Sequence, residues 1–222
     1  MSDAPVTAAT PTTATHLLHA VTSFTDMPDP SMPVALFLHG FGTDEGDLPG
    51  LAPLILPPGM PWASLRAPLA LPTGGFAWFP IERPGDPRPE PIERATAAVW
   101  HWTDAMLPAD TRVVPIGFSQ GGLMAVQLLR TRPDRVARPV SLSGFALSAA
   151  QPADEALAET RPPAFWGHGD ADPVITPAAV ARTAAWLAGH TADAEHRYAG
   201  MGHTTTPEEL ADVHAFLAPL AV

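Results

Sequence analysis

The segment Gly117-Phe118-Ser119-Gln120-Gly121 limits the possible folds of this chain more than any other stretch of similar length. A short apolar run, residues 112–116, precedes it, and a helical pattern over residues 123–129 follows it. This order predicts a strand, a sharp turn that carries a serine, and a helix. The two flanking glycines have no side chain, so the chain can turn tightly between strand and helix. We therefore expect Ser119 to be presented at the end of a buried strand, on the type of turn called a nucleophile elbow.

The composition indicates one globular domain. The chain has 222 residues, of which 46% are hydrophobic and 16% charged, as is typical of a packed protein. We expect residues 16–222 to form this domain and residues 1–15, which are rich in Ala, Thr and Pro, to form a flexible tail. The tail lacks the basic and apolar regions of a signal peptide, and no apolar run is long enough to span a bilayer. These features favour a cytoplasmic location.

Charge and cysteine content exclude several classes of function. The formal net charge of −11 argues against nucleic acids and anionic membrane surfaces as partners, because both attract basic proteins. The chain contains no cysteine, which excludes disulfides, thiolate zinc sites and a cysteine nucleophile. The histidines show no H-E-x-x-H-type spacing. We therefore expect neither a metal nor a cofactor.

Apolar runs and helical patterns alternate from Val34 to the end of the chain, which predicts an α/β fold with a mostly parallel sheet and helices on both faces. A long loop rich in Pro and Gly, residues 68–91, interrupts this alternation, and loops of such length are usually functional or disordered. The predicted strands are residues 34–38, 61–65, 112–116, 136–142, 164–166 and 195–198, with 16–25 as a candidate first strand. The predicted helices are residues 45–56, 91–106, 123–129, 176–188 and 207–217.

Acidic and histidine side chains follow two later strands, in an order that suits serine chemistry. A serine hydroxyl becomes a good nucleophile when a histidine takes its proton and a carboxylate orients that histidine. Asp170 and Asp172 follow the strand that ends at Trp166, and His203 follows the strand that ends at Tyr198. Loops at the carboxyl ends of parallel strands meet at one edge of the sheet, so these side chains are expected near Ser119. The order Ser, Asp, His is the order of α/β-hydrolases.

The same chemistry needs backbone N–H groups that stabilise the oxyanion of the tetrahedral intermediate. One such donor is expected from Gln120, at the start of the helix after Ser119. The second is expected from the loop His39-Gly40-Phe41-Gly42, where we favour the N–H of Phe41. His39 and His168 each precede a glycine at a strand end, and we interpret both as structural, hydrogen-bonding residues.

Several short motifs resemble the phospholipase/carboxylesterase family of α/β-hydrolases, which includes acyl-protein thioesterases and small bacterial esterases. The resemblance implies a serine hydrolase without a large lid domain and without a cofactor, in a monomer or homodimer. It also favours Asp172 over Asp170 as the acid, because the family's aspartate directly precedes P-V or a similar pair. In this sequence the motifs are H-G-F-G-T-D-E-G-D-L at 39–48, F-A-W-F-P-I at 76–81, G-F-S-Q-G-G at 117–122, L-S-G at 142–144, G-H-G-D-A-D-P-V-I at 167–175 and Y-A-G-M-G-H at 198–203.

Four apolar residues are candidates for the substrate pocket. Trp78 and Phe79 lie in the long loop, while Phe145 and Val174 lie next to the catalytic loops. The expected activity is hydrolysis of short- to medium-chain acyl esters, a class of small-molecule substrate, through Ser119, His203 and Asp172. A thioesterase acting on acyl thioesters or a lysophospholipase is the alternative within the enzymes. A hydrolase-fold protein that binds a ligand without turnover is the alternative from another class.

Overall fold

A seven-stranded sheet forms the centre of the computed structural model, which describes residues 17–192 and 194–221. Its strands lie in the order β1-β3-β2-β6-β7-β8-β9, and a separate hairpin is formed by β4 and β5. The predicted tail, residues 1–15, lies outside the described residues. The strands are β1 (Ala20–Thr22), β2 (Val34–Leu38), β3 (Trp62–Leu65), β4 (Leu69–Ala70), β5 (Phe76–Ala77), β6 (Val113–Phe118), β7 (Val140–Leu142), β8 (Phe165–Gly169) and β9 (Glu195–Tyr198).

The sheet is parallel except at one edge, where β1 runs antiparallel to β3. Helices cover both of its faces. The helices are α1 (Ala52–Ile55), α2 (Pro89–Met106), α3 (Gln120–Thr131), α4 (Asp154–Thr160), α5 (Pro177–His190) and α6 (Pro207–Leu217). The predicted α/β-hydrolase architecture is confirmed, and within the described residues no large lid domain interrupts it.

Strand β2 illustrates why the central strands are continuously apolar. Val34, Leu36 and Leu38 face the layer formed by α2 and α3, whereas Ala35 and Phe37 face the layer that contains α1 and α6. All five residues are fully buried, because a strand in the middle of a covered parallel sheet has no solvent side. The prediction for residues 34–38 is therefore confirmed. No helix in the described part of the chain is long and apolar enough to cross a bilayer.

Several predicted boundaries were wrong. Residues 45–56 form only a short 3₁₀ turn, Pro49–Leu51, and the single turn α1, since Pro49 and Pro53 cannot donate helical hydrogen bonds. Strand β7 is shorter than predicted, and Val136 makes only an isolated bridge to Val113. Strand β8 extends to Gly169 instead of ending at Trp166. The loop 68–91 contains the hairpin β4–β5, and α4 was not predicted.

The N-terminus of α6 directly follows the loop that carries His203, and it is capped by Thr206. The Thr206 Oγ1 atom accepts a hydrogen bond from the Glu209 N–H at 3.2 Å. We expect Thr206→Ala to lower the free energy of unfolding by about 1 kcal/mol, because that N–H loses its acceptor. Urea denaturation measures this, with Thr205→Ala as the neighbouring control. Equal losses in the two variants would contradict the capping role.

Candidate active site

Ser119 lies between β6 and α3 with an unusual backbone conformation. Its φ is 55° and its ψ is −112°, a combination that is strained for a residue with a side chain. The neighbouring backbone is packed very closely. A Cβ atom on Gly117 would lie 2.0 Å from the Gly121 carbonyl oxygen, and one on Gly121 would lie 1.7 Å from the Leu38 oxygen. Glycine is required at both positions by close approach of the backbone, and this packing holds the strained turn.

His203 joins Ser119 to Asp172 through two hydrogen bonds. The His203 Nε2 atom lies 2.9 Å from Ser119 Oγ, and its Nδ1 atom lies 2.7 Å from Asp172 Oδ2. Because an ionised carboxylate can only accept, Nδ1 carries the proton and Nε2 is left to accept from the serine hydroxyl. The imidazole ring also packs on Phe118, with 5.0 Å between ring centres. The geometry thus aims the basic nitrogen of His203 at the serine hydroxyl.

The Asp172 carboxylate is buried and fully hydrogen-bonded. Its side chain is 4% exposed, and its Oδ1 atom accepts from the N–H groups of Val174 at 2.7 Å and Ile175 at 3.1 Å. Asp170 has a different position, since its Oδ1 atom accepts from the Gly200 N–H at 2.7 Å. The structure therefore brings Asp172 to His203, and Asp170 holds the turn that precedes the histidine loop.

The two predicted oxyanion donors lie beside the serine. Phe41, Gln120, Ser119 and His203 all line the same cavity. Gln120 is the first residue of α3, where backbone N–H groups point out of the helix. Within the described residues, neither the Phe41 N–H nor the Gln120 N–H donates to another backbone group. Both donors are therefore available to an oxygen atom bound next to Ser119.

The loop that carries Phe41 is held by a buried histidine. His39 is fully buried, and its Nε2 atom accepts from the Ala67 N–H at 3.0 Å while Nδ1 lies 2.7 Å from the Gly40 carbonyl oxygen. Nδ1–H is therefore the donor, and the ring is neutral. Burial lowers the pKa of His39, because the imidazolium form would lose its hydration. His39 thus has the structural position that its motif indicated.

An ion pair also ties the loop after β2 to the segment that follows β3. Glu45 is 6% exposed and accepts two hydrogen bonds from Arg66, one of them at 2.6 Å from Nε. These bonds lower the pKa of Glu45.

His168, the other histidine in an H-G pair, stacks on Trp166 at 4.1 Å and hydrogen-bonds Glu195 at 3.0 Å. It too occupies a structural position, away from the serine.

The cavity next to Ser119 has a volume of about 410 Å³ and mainly apolar walls. Of the four predicted pocket residues, Phe79, Phe145 and Val174 line it. Trp78 does not, because it is 1% exposed and its indole N–H donates to the His39 carbonyl oxygen at 2.9 Å. The prediction missed further lining residues, many of them in the loop 68–91. They are Ile81, Arg83, Pro84, Gly85, Pro87, Gly40, Thr43, Asp47, Phe118 and Ile175.

The side chain of Gln120 connects the elbow to this loop. Its Oε1 atom accepts from the Trp78 N–H at 3.0 Å, and its Nε2 atom donates to the Phe79 carbonyl oxygen at 2.8 Å. The amide is 3% exposed, so both ends of this buried polar group are satisfied by backbone. This gives a physical reason for a glutamine after the serine. In the described part of the chain, no three His, Asp or Glu side chains are grouped so that they could hold a metal ion.

Comparison with known proteins gives one family. The family model described as Phospholipase/Carboxylesterase matches residues 22–221, which is nearly all of the described chain. Acyl-protein thioesterase 1 from Mycosarcoma maydis is 37% identical over 117 residues, covering 48% of this chain and 47% of that protein. The chain spans about half the length of the curated relatives it matches.

Solved structures share the fold over most of their length. The structure of esterase PE8 matches with a TM-score of 0.68 and 25% identity, covering 92% of this chain and 98% of that one. The carboxylesterase of Bacillus cereus matches with a TM-score of 0.74 and 20% identity, covering 91% of this chain and 94% of that one. At that identity the second likeness shows the fold alone.

Proposed function

Since the chain belongs to the phospholipase/carboxylesterase family, we propose that it is a serine carboxylesterase that hydrolyses short- to medium-chain acyl esters. The observation that carries this proposal is the continuous hydrogen-bonded series Ser119, His203, Asp172, which opens into an apolar cavity. Acyl transfer to a serine requires a nucleophile, a base and an orienting carboxylate within hydrogen-bonding reach of one another.

The mechanism follows from the direction of these hydrogen bonds. Ser119 Oγ attacks the acyl carbon while His203 Nε2 takes the hydroxyl proton. Asp172 stabilises the imidazolium that forms and keeps its Nδ1–H in place. The N–H groups of Phe41 and Gln120 donate to the oxyanion of the tetrahedral intermediate. His203 then protonates the leaving alcohol, and the acyl group remains on Ser119.

Deacylation repeats these roles with water as the nucleophile. His203 takes a proton from the water, the resulting hydroxide attacks the acyl carbon, and the Ser119 oxygen leaves with the proton that His203 returns. The products are the free acid and regenerated enzyme. The cavity of about 410 Å³ supports small acyl groups as substrates, since ligand pockets of this size hold small molecules.

A fluorophosphonate probe and p-nitrophenyl butyrate test this proposal together. We expect the probe to label Ser119, as read by peptide mass spectrometry, and to abolish hydrolysis of the butyrate ester in proportion to labelling. Turnover of esters that continues in fully labelled protein would contradict a serine mechanism. If several esters are tried and neither turnover nor labelling occurs, the alternative of a ligand-binding protein with this fold replaces the proposal.

A thioesterase is the second candidate, and it is supported by the name of the relatives called acyl-protein thioesterase 1. The same site attacks both classes of substrate, because the acyl carbon is attacked in the same way and only the leaving group differs. Matched butyryl oxyesters and thioesters, compared by kcat/KM, separate the two. A lysophospholipid in the same series tests the third activity. A thioester preference of more than about tenfold beyond the intrinsic difference in reactivity would favour the thioesterase.

A further inference from the structure

Three segments that line the cavity are attached to the same helix, α5. We call residues 79–87 the wall segment, because half of the cavity residues missed from the sequence belong to it. The second segment is the loop after β7, which contains Phe145, and the third is the pair Val174 and Ile175. This pair directly precedes Thr176, the N-cap of α5, in sequence. The shape of the cavity therefore depends on how α5 holds the other two segments.

Arg182, on α5, forms hydrogen bonds with two of these segments. Its Nε atom donates to the Ala146 carbonyl oxygen at 3.1 Å, and its Nη2 atom donates to the Gly85 carbonyl oxygen at 2.5 Å. Ala146 follows the cavity residue Phe145, and Gly85 lies in the wall segment. Arg182 is half-buried and does not itself line the cavity. Its planar guanidinium places two N–H donors in a fixed geometry that a single ammonium group lacks.

Both ends of this connection are held by further contacts with α5. The Ala146 N–H donates to the Oγ1 atom of the fully buried Thr183 at 2.8 Å, so the loop after β7 is fixed on α5. Gly85 has a φ of 73°, and a Cβ atom there would lie 2.4 Å from Thr176 Oγ1. Asp86 also accepts a hydrogen bond from Ser148 at 2.9 Å. The wall segment is thus pressed onto the N-terminus of α5 and tied there by Arg182.

We propose that Arg182 is a positioning residue that sets the acyl-chain selectivity of the cavity by holding the wall segment against the loop of Phe145. This inference rests on the proposed esterase function. Ser119 and His203 are held by contacts of their own, which do not involve Arg182. An acetyl group uses mainly the region next to Ser119, whereas each further methylene group needs a wall to contact.

The dependence of kcat/KM on acyl length gives the main test. A well-formed apolar wall increases kcat/KM by up to about fourfold for each methylene group that it buries. We expect the wild type to show such a rise from acetate through hexanoate esters. In Arg182→Met, the increase in kcat/KM should be less than about twofold per methylene group, while kcat/KM for the acetate ester changes little. The increase in Arg182→Lys should lie between those of the wild type and Arg182→Met, because one ammonium group replaces only part of the pair of donors that the guanidinium provides.

Arg161→Met is the matched control. Arg161 also donates to two backbone carbonyl oxygens, those of Ala188 and Thr191, but neither belongs to a segment that lines the cavity. It should keep the chain-length dependence of the wild type. The proposal would be overturned if the increase in kcat/KM with acyl length were unchanged in Arg182→Met, or if kcat/KM fell equally for every ester in both variants.

Amide hydrogen exchange tests, independently of turnover, whether Arg182 holds the wall segment. The Asp86 N–H donates to the Arg83 carbonyl oxygen within the wall segment, so its exchange reports local opening. We expect exchange of the Asp86 N–H to be at least about tenfold faster in Arg182→Met and unchanged in Arg161→Met. If the wild type hydrolyses no ester, the proposed function fails by itself. Unchanged exchange in Arg182→Met would show that Arg182 does not hold the segment.

Discussion

Replacing Asp172 by Asn should lower kcat by about 10⁴-fold, because the amide reverses the hydrogen-bond direction at His203. The N–H groups of Val174 and Ile175 both donate to Asp172 Oδ1. The oxygen of the introduced amide keeps that position, which leaves its NH₂ group facing His203 Nδ1. The imidazole must then carry its proton on Nε2, where it can no longer accept the proton of Ser119. The loss arises from the wrong tautomer, in a site whose heavy atoms stay in place.

Asp170→Asn is the matched control for this prediction. Asp170 lies two residues earlier and accepts one hydrogen bond from the Gly200 N–H, which an amide oxygen can also accept. We expect its kcat to stay within about twofold of the wild type. Rates with p-nitrophenyl butyrate and melting temperatures of both variants check the pair. A large loss in Asp170→Asn together with an active Asp172→Asn would reverse the assignment of the acid.

Glu209→Gln should make the protein more stable than the wild type above neutral pH, by up to about 3 kcal/mol. Glu209 is fully buried in α6, and neither of its carboxyl oxygens has a hydrogen-bond partner among the described residues. The carboxyl group packs against β8, where a Cβ atom on Gly167 would lie 2.0 Å from Oε1. Burial raises the pKa of Glu209 from 4.5 to about 7, since the charged form loses its hydration.

The sign of the pH dependence follows from this raised pKa. Between about pH 4.5 and pH 7 the folded protein keeps a proton on Glu209 that the unfolded chain has lost. The free energy of unfolding therefore falls as the pH rises through this range, and it stays low above it. The glutamine side chain of the variant does not titrate, so the difference between variant and wild type should appear only as the pH rises.

Urea denaturation at pH 5, 6, 7 and 8 measures this difference, since titrations shared by the two proteins cancel. Glu208→Gln provides the control, because Glu208 is the adjacent carboxylate and is exposed on the same helix. It should shift stability by less than about 0.5 kcal/mol at every pH. A difference between wild type and Glu209→Gln that is constant with pH would mean that Glu209 does not change its protonation in this range.

The order of the elements could be predicted from the sequence because the sequences of the central strands are compatible with few other structures. All five side chains of Val34–Leu38 are apolar, and no other element suits such a run between a proline-rich turn and a glycine-rich loop. The apolar spacing of residues 45–56 misled the prediction, since Leu48 and Ile55 enter the core from a segment interrupted by prolines. The apolar spacing indicates which side chains are buried, but it does not identify the secondary structure of the segment that carries them.

Close backbone packing explains another error. Gly167 and Gly169 resemble a turn in sequence, yet both belong to β8. A Cβ atom on Gly169 would lie 1.8 Å from the Met201 carbonyl oxygen, and Gly167 leaves space for Glu209. These contacts join residues far apart in sequence. A local pattern does not contain them, and the same limitation applies to the wall segment, whose contact with Arg182 comes from a later helix.

The relation between Ser119, Asp172 and His203 was accessible from sequence for a different reason. Each residue follows its own parallel strand, so the topology alone predicts that they meet at one edge of the sheet. The choice between Asp170 and Asp172 needed either the family resemblance or the geometry. The position of Trp78 next to Phe79 in a loop predicts a place on the cavity wall, but its indole N–H is committed to the distant His39 carbonyl oxygen, a contact that no local pattern contains.

The two outer strands of the sheet are short. Strand β1 has three residues, and β9 has four, of which Glu195 and Arg197 are charged and exposed. A neighbouring copy finds few consecutive N–H and C=O groups at either edge, and at β9 it meets charges of both signs. Such edges oppose the strand-to-strand addition that produces aggregates. In the described part of the chain, the sheet therefore ends in edges that offer little template for aggregation through strand pairing.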